Sequence, residues 1–320
     1  MRRLRFGLIG CGDISRKRVA PALRDLDICE LVAVNRARTE LAEGFAREFG
    51  ARRWYDSWEK LLRDDEIEAV YIATPHDQHL EQTLAAAEAG KHVLCEKPLA
   101  LSAADCSAMI EACRKNGVRL GVAYYRHHYP VLDRIREIMA AGEIGAVTVV
   151  QINAFEVHEF KPEDPQYWII LKRHSGGGPM MGFGCHRIEV MMHLLGPVAE
   201  VASQLVNSLY DRDVEDNSAA VLRFESGALG VLSISNAVRE PADTLDVYGT
   251  RGSVHVPVLN RGRMRVWTQQ GERTEEHPPH ENIHQPLIED FTRAVLEGRD
   301  PEVRGEVGLE VQKVLDGIYG

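Results

Sequence analysis

The sequence predicts an α/β chain in which a doubly wound parallel sheet is followed by a second α/β domain built on a large, mostly antiparallel open sheet. Three observations carry this reading. The first third alternates short, uniformly apolar runs with longer amphipathic stretches, as expected of parallel strands covered on both faces by crossover helices. A glycine turn, Gly10 and Gly12, follows the first apolar run directly. Beyond about residue 145 the runs lengthen and alternate with few helical segments between them, the pattern of antiparallel pairing.

Taken in order, Leu4–Ile9, Leu31–Val34, Ala69–Ala73, His92–Cys95 and Arg119–Ala123 read as buried parallel strands. Between them, Thr74-Pro75-His76-Asp77 offers an N-cap threonine with proline at the first helical position. Leu80, Leu84 and Ala87 then form an apolar stripe that Gly90 closes, the standard start and stop signals of a helix. Ser102-Ala-Ala-Asp105 repeats the opening and Asn116-Gly117 the ending. Ala146–Phe155, Val198–Asn207, Ala219–Phe224, Ala228–Ser235, Thr244–Tyr248 and Arg263–Trp267 follow as longer strands, with turns at Ser226-Gly227 and Arg251-Gly252. Helices are expected over Tyr129–Ala141, Gly184–Leu195, Pro286–Glu297 and Val307–Ile318. The boundary is placed where the last parallel strand ends, giving domains 1–123 and 124–320.

Composition excludes several classes of function. The 320 residues carry 38 Lys+Arg against 48 Asp+Glu, a net charge of −10, so a nucleic-acid partner, which needs surplus cations to neutralise phosphates, is not expected. No apolar run approaches the ~18 residues of a membrane span, and Arg2-Arg3 leads straight into the glycine turn without an apolar export segment. Six scattered cysteines form no Cys-x-x-Cys pair, which suits a reduced, cytoplasmic chain.

Gly10-Cys11-Gly12-Asp13-Ile14-Ser15 sits between a strand and a helix. This is the dinucleotide fingerprint: the first glycine makes the tight turn, and the second lets the backbone approach a pyrophosphate resting on the helix N-terminus. Ser15 takes the third position, usually Gly or Ala. The acid that normally binds the ribose 2′-hydroxyl about 20 residues on is missing. Asn35-Arg36-Ala-Arg38 stands there instead, and an arginine hydrogen-bonds a 2′-phosphate that a carboxylate would repel. NADP(H) is therefore favoured, with NAD(H) the alternative.

Glu96-Lys97-Pro98 and Ala73-Thr74-Pro75-His76-x-x-His79 resemble the Gfo/Idh/MocA oxidoreductases, the family of glucose–fructose oxidoreductase and inositol 2-dehydrogenase. The run from Gly176 to Glu189, Val247–Gly252 and Leu287–Phe291 resemble the same family, so the likeness spans the whole chain. It implies a Rossmann domain followed by a substrate-binding and oligomerisation domain, a homodimer or homotetramer, and a sugar- or polyol-like substrate. It aligns Lys97 and His186 with the family's catalytic lysine and histidine, and Thr74, Pro75, His79 and Glu96 with its cofactor-side residues. An ammonium at Lys97 stabilises a hydroxyl losing its proton, and an imidazole, the side chain His186 offers, is the kind of group that accepts one. Tyr124, Arg126, Glu156, His158, Trp168 and Glu189 are further substrate candidates; an indole such as Trp168 suits packing on a sugar face.

One position departs from the pattern. Where many members have an aspartate four residues before the histidine, this chain has Gly182. That keeps in view a redox-neutral lyase or isomerase with tightly bound NAD(P); a nucleotide-sensing regulator without catalysis is a third reading, against which the presence of both Lys97 and His186 counts. No metal site is expected: His277, His280 and His284 lack zinc spacing, and His186 and His193, seven apart, do not reach one ion together.

Overall fold

The strands of the first third form as their uniform apolarity requires. In the computed structural model, which describes residues 2–320, β1 (Leu4–Ile9), β2 (Cys29–Asn35), β3 (Arg53–Tyr55), β4 (Ala69–Ile72), β5 (His92–Cys95) and β6 (Leu120–Val122) lie in the order β3-β2-β1-β4-β5-β6. Every pairing is parallel. Leu4, Phe6, Leu8, Val32, Val34, Val70 and Ile72 are buried, each contributing roughly 1.5–3 kcal/mol of apolar transfer. The crossover helices are α1 (Ala20–Asp25), entered through a π-type turn at Ser15–Val19, α2 (Thr39–Phe49), α3 (Trp58–Leu62), α4 (His79–Glu88) and α5 (Ala103–Lys115). Ser102 caps α5 as its sequence predicts, accepting from the Asp105 amide at 3.1 Å. Thr74 does not cap α4. The chain first makes a 3-10 turn at His76–Gln78, and the Thr74 hydroxyl donates to Gln82 instead.

The sheet order reverses direction between β1 and β4, and in open α/β sheets ligands bind at the carboxyl ends of the strands at such a switch point. Gly10, Arg36, Thr74-Pro75, Glu96-Lys97 and Tyr124 follow β1, β2, β4, β5 and β6 respectively, and Asn35 is the last residue of β2. The topology therefore gathers segments far apart in sequence at one edge.

The chain divides into two units, and the division differs from the linear boundary at 123/124. The first unit runs through Tyr125 and takes back residues 281–312; the second holds 126–280 and 313–320. The return is explained by α9 (Gln285–Glu297). Phe291 packs near Phe6, the Thr292 hydroxyl lies 3.2 Å from the Cys29 thiol, and a side chain at Gly121 would collide with Phe291.

In the second unit nine strands form one sheet: β7 (Val147–Val157), β8 (Val198–Val206), β9 (Asn217–Phe224), β10 (Leu229–Ser235), β11 (Ala237–Asp243), β12 (Leu245–Gly249), β13 (Gly252–Val256), β14 (Arg263–Thr268) and β15 (Gly271–Glu276). Eight run β15-β14-β13-β12-β7-β10-β9-β8, with β11 beside β7, and all pairs are antiparallel except β7–β10. Along β9, Ser218, Ala220, Leu222 and Phe224 point inward while Val221 and Arg223 face out. The unit also holds α6 (Pro130–Ala140), α7 (Lys172–Ser175) and α8 (Cys185–Leu195), and α10 (Gly305–Tyr319) is divided between the units after Gln312. Among the described residues no helix is long and apolar enough to cross a membrane, and all six cysteines are buried free thiols.

Candidate active site

The glycine turn has the shape its sequence requires. Gly10 adopts φ +92°, and a Cβ there would lie 2.5 Å from the Ala73 carbonyl oxygen, so only glycine fits between the β1 and β4 loops. At Gly12 a Cβ would meet nothing within 4 Å. That open space beside a helix start is the cradle a pyrophosphate needs, and the residues present fit a dinucleotide. Ser15 explains its tolerance at the third position: fully buried, its hydroxyl donates to the Gly10 carbonyl at 2.6 Å and closes the turn. Asp13 pairs with Lys17 at the surface, and Ile14 opens the π-type turn.

Asn35 anchors the β2 end by donating to the Tyr55 carbonyl at 3.1 Å, and its own carbonyl accepts from the Gly10 amide and the Cys11 thiol. Arg36 is half-buried, Arg38 exposed, and among the described residues neither guanidinium pairs with a carboxylate. Burial pushes the Cys11 thiol up to about 12 against the opposing pull of Arg36 and Arg16. The Arg36 charge is thus felt inside the glycine turn.

At the end of β5, Glu96 is a buried hub. Tyr71 donates to its Oε1 at 2.9 Å, its Oε2 accepts from the Lys97 amide at 3.3 Å, and the His284 ring lies 3.5 Å away. Burial pushes this carboxyl up, but the His284 contact and charge, the Lys97 charge and the Tyr71 hydroxyl outweigh it and hold it at about 2. Glu96 is therefore an anion that fixes the base of the Lys97 segment, while Lys97 itself is only half-buried. His79 is fully buried with Nδ1 3.0 Å from the Pro98 carbonyl and Nε2 3.1 Å from that of Thr74. It ties the β4 and β5 loops together. His284, which also stacks 4.6 Å from Tyr125, carries no local sequence signal; only the return of α9 brings it here.

In the second unit, Glu215 organises the glycine-rich run that leads into α8. Its carboxylate accepts from the Gly178 amide (2.8 Å), the Met180 amide (3.2 Å) and the Tyr319 hydroxyl (2.7 Å). The Tyr319 oxygen in turn accepts from the Met181 amide at 3.1 Å. A Cβ at Gly178 would lie 2.2 Å from the Glu215 carbonyl oxygen, so the run must be glycine where it crosses this clamp. His186 follows on α8, 3% exposed. Gly182, where the family aspartate is missing, has open space at its Cβ position.

The remaining candidates lie on or beside β6, β7, α8 and the 3-10 turns of the chain. Arg126 and Arg187, both buried, hold the two oxygens of Asp243 at 3.3 and 2.6 Å, and Arg187 stacks on Phe183. Burial raises the Asp243 carboxyl, and the two guanidinium charges bring it below the usual range. His158 Nε2 pairs with Glu156 at 3.0 Å. Trp168 lies in a 3-10 turn at Tyr167–Ile170, and Tyr124 is buried at the end of β6. Glu189 is engaged by His127 at 2.7 Å. Burial first, then the charges of His127, Arg136 and His128, push the neighbouring His193 down to about 3.

Fold and site together define a two-unit nucleotide-dependent oxidoreductase. Residues 4–124 match the oxidoreductase family with NAD-binding Rossmann fold, and residues 132–255 match the GFO/IDH/MocA C-terminal domain. The chain belongs to the Gfo/Idh/MocA family and is an oxidoreductase of the dehydrogenase/reductase kind. A D-xylose 1-dehydrogenase (NADP(+)) from Haloferax volcanii is 31% identical over 98% of this chain and 96% of its own. A myo-inositol 2-dehydrogenase from Thermotoga maritima is 27% identical over 95% and 92%. A levoglucosan dehydrogenase solved with NADH and levoglucosan superposes with a TM-score of 0.90 at 25% identity, covering 99% of this chain and 96% of that one.

Proposed function

We propose that the chain is an NADP(H)-dependent dehydrogenase or reductase acting on a CH–OH group of a sugar or polyol. The observation that carries this is the switch-point edge of the first unit, where the Gly10–Gly12 turn, Arg36 and the Lys97 segment stand at neighbouring strand ends. The nicotinamide ring, when bound, supplies or accepts the hydride. Gly10, Gly12, Asp13 and Ile14 present the backbone to the pyrophosphate, and Asn35 holds the β2 end so that Arg36 and Arg38 meet a 2′-phosphate. Thr74, Pro75, His79 and Glu96 shape the nicotinamide end. Lys97 hydrogen-bonds the reacting hydroxyl oxygen and takes up or returns its proton, and His186 is the second proton-handling residue. D-xylose, inositol and levoglucosan, named for the relatives, support a polyhydroxylated substrate.

The outer face of the second sheet exposes Val221, Leu229, Tyr248 and Trp267. A second copy of the chain covering that face gives a homodimer or homotetramer, which light scattering reads directly. Six buried thiols suit the reducing cytoplasm.

The test is a panel of aldoses, polyols and anhydrosugars incubated with NADP(H) and with NAD(H), following nicotinamide absorbance and products together. Net change in absorbance with an oxidised or reduced sugar is expected. Product formed without net absorbance change would replace this reading with the redox-neutral one that Gly182 raises, and binding without product would make the chain a sensor.

A further inference from the structure

His127, Glu189 and His193 come together from two segments of the second unit, and the proposed reaction uses none of them. His127 sits in the 3-10 turn just after β6, and Glu189 and His193 lie four residues apart on α8. Their ligand-capable atoms all fall within 4.8 Å of one another. The His127 and His193 rings are 3.8 Å apart between centroids, and His127 Nδ1 is 2.7 Å from Glu189 Oε1. The second Glu189 oxygen, Oε2, is buried and has no hydrogen-bond partner, on a residue only 1% exposed; His193 Nε2 is likewise buried without one. Leaving a buried carboxylate oxygen and a buried ring nitrogen unsatisfied is costly unless something else binds them.

We infer that His127, Glu189 and His193 form a binding site for a divalent transition-metal ion of the zinc class. Two imidazoles and one carboxylate are a three-ligand zinc set with one position left for water. Imidazole nitrogen also disfavours magnesium and calcium, which prefer all-oxygen shells. Metal–ligand bonds of about 2.0–2.2 Å place tetrahedral ligand atoms about 3.3 Å apart, so atoms that already lie within 4.8 Å of one another have at most about 1.5 Å to close. The four-residue spacing of Glu189 and His193 puts both on one face of α8. The ion fastens the turn carrying His127 to that helix and takes up the Glu189 charge. It is a staple beneath the helix that bears His186 and takes no part in the proposed reaction.

The test is calorimetric titration of the chelator-stripped full-length protein with Zn(II), with Mg(II) in parallel. One equivalent of Zn(II) is expected to bind with a dissociation constant on the order of 1 μM or below, to raise the melting temperature, and to leave Mg(II) inert. His193→Ala, on a partly exposed residue that should leave the fold intact, should weaken Zn(II) at least about tenfold, and Glu189→Gln should do the same. His277→Ala, in a loop outside the cluster, should bind as the wild type does. If Glu189→Gln does not fold by circular dichroism, His193→Ala and the visible spectrum of the Co(II)-substituted wild type decide. Absence of saturable Zn(II) binding, or equal affinity in wild type and His193→Ala, overturns the site.

Discussion

The two glycine-rich segments of this chain do opposite jobs with the same residue. Around Gly10 and Gly12 the backbone is held by the Ser15 hydroxyl, which donates to the Gly10 carbonyl, and by the Asn35 carbonyl, which accepts from the Gly10 amide, and the space beyond Gly12 is left for a ligand. Around Gly178 the space is filled by the chain's own Glu215 carboxylate, braced by Tyr319. In both, the partners come from other segments of the chain; the first leaves room for a ligand, and the second fills its room with a side chain. Substitutions of the partly exposed edge residues Arg36 and Lys97 should therefore cost function with little stability, and substitutions at the second unit's clamp should cost both.

The sharpest test of that contrast is Lys97→Ala. A half-buried ammonium removed from a strand end leaves the core intact, so turnover should fall about 10²- to 10⁴-fold while the melting temperature and the affinity for cofactor hardly change. Single-turnover kinetics beside a thermal melt read both, and near-normal turnover would remove Lys97 from the reaction. Glu215→Ala should break the contrast from the other side. It strands two backbone amides and a tyrosine hydroxyl in the interior and should destabilise by about 2–4 kcal/mol, with turnover falling as the start of α8 loosens. Urea denaturation checks the first part.

Glu96 refines the comparison through pH. Its folded value of about 2 lies below the ordinary 4.5, so the stabilisation it provides is fully present above about pH 4.5 and is lost as pH falls toward 2. Wild type and Glu96→Gln should differ in urea midpoint at about pH 6 and converge toward about pH 2; a gap that is independent of pH would show that the anion is not what holds the Lys97 segment. The smallest effect is expected at Gly182. With nothing within 4 Å of its Cβ position, Gly182→Asp should fold with a stability change within about 1 kcal/mol. A large loss in a thermal melt would mean that the strut tolerates no side chain even where space is open.

Much of the first unit was legible because parallel strands buried on both faces leave unbroken apolar runs: β1 and β5 begin and end where the sequence places them. The short strand β3 and the polar strands β11 and β15 were not, since Arg53–Tyr55, Ala237–Asp243 and Gly271–Glu276 contain no fully buried residue and carry no apolar alternation. The site divides the same way. Gly10, Gly12, Arg36 and Lys97 announce themselves by position after a strand. His284 at Glu96, Tyr319 at Glu215 and the pairing of Arg126 and Arg187 on Asp243 do not, because tertiary folding alone joins them.

The central claim, a first unit built for a 2′-phosphorylated dinucleotide, is tested most directly by fluorescence titration of the wild type and Arg36→Asp with NADPH and NADH. An arginine–phosphate hydrogen bond in a half-buried site contributes on the order of 1.5–3 kcal/mol, about ten- to a hundred-fold in affinity. The wild type should bind NADPH more tightly than NADH by that factor, and Arg36→Asp should reverse the order. Equal or tighter binding of NADH by the wild type would contradict the claim and leave Arg36 and Arg38 as surface charges.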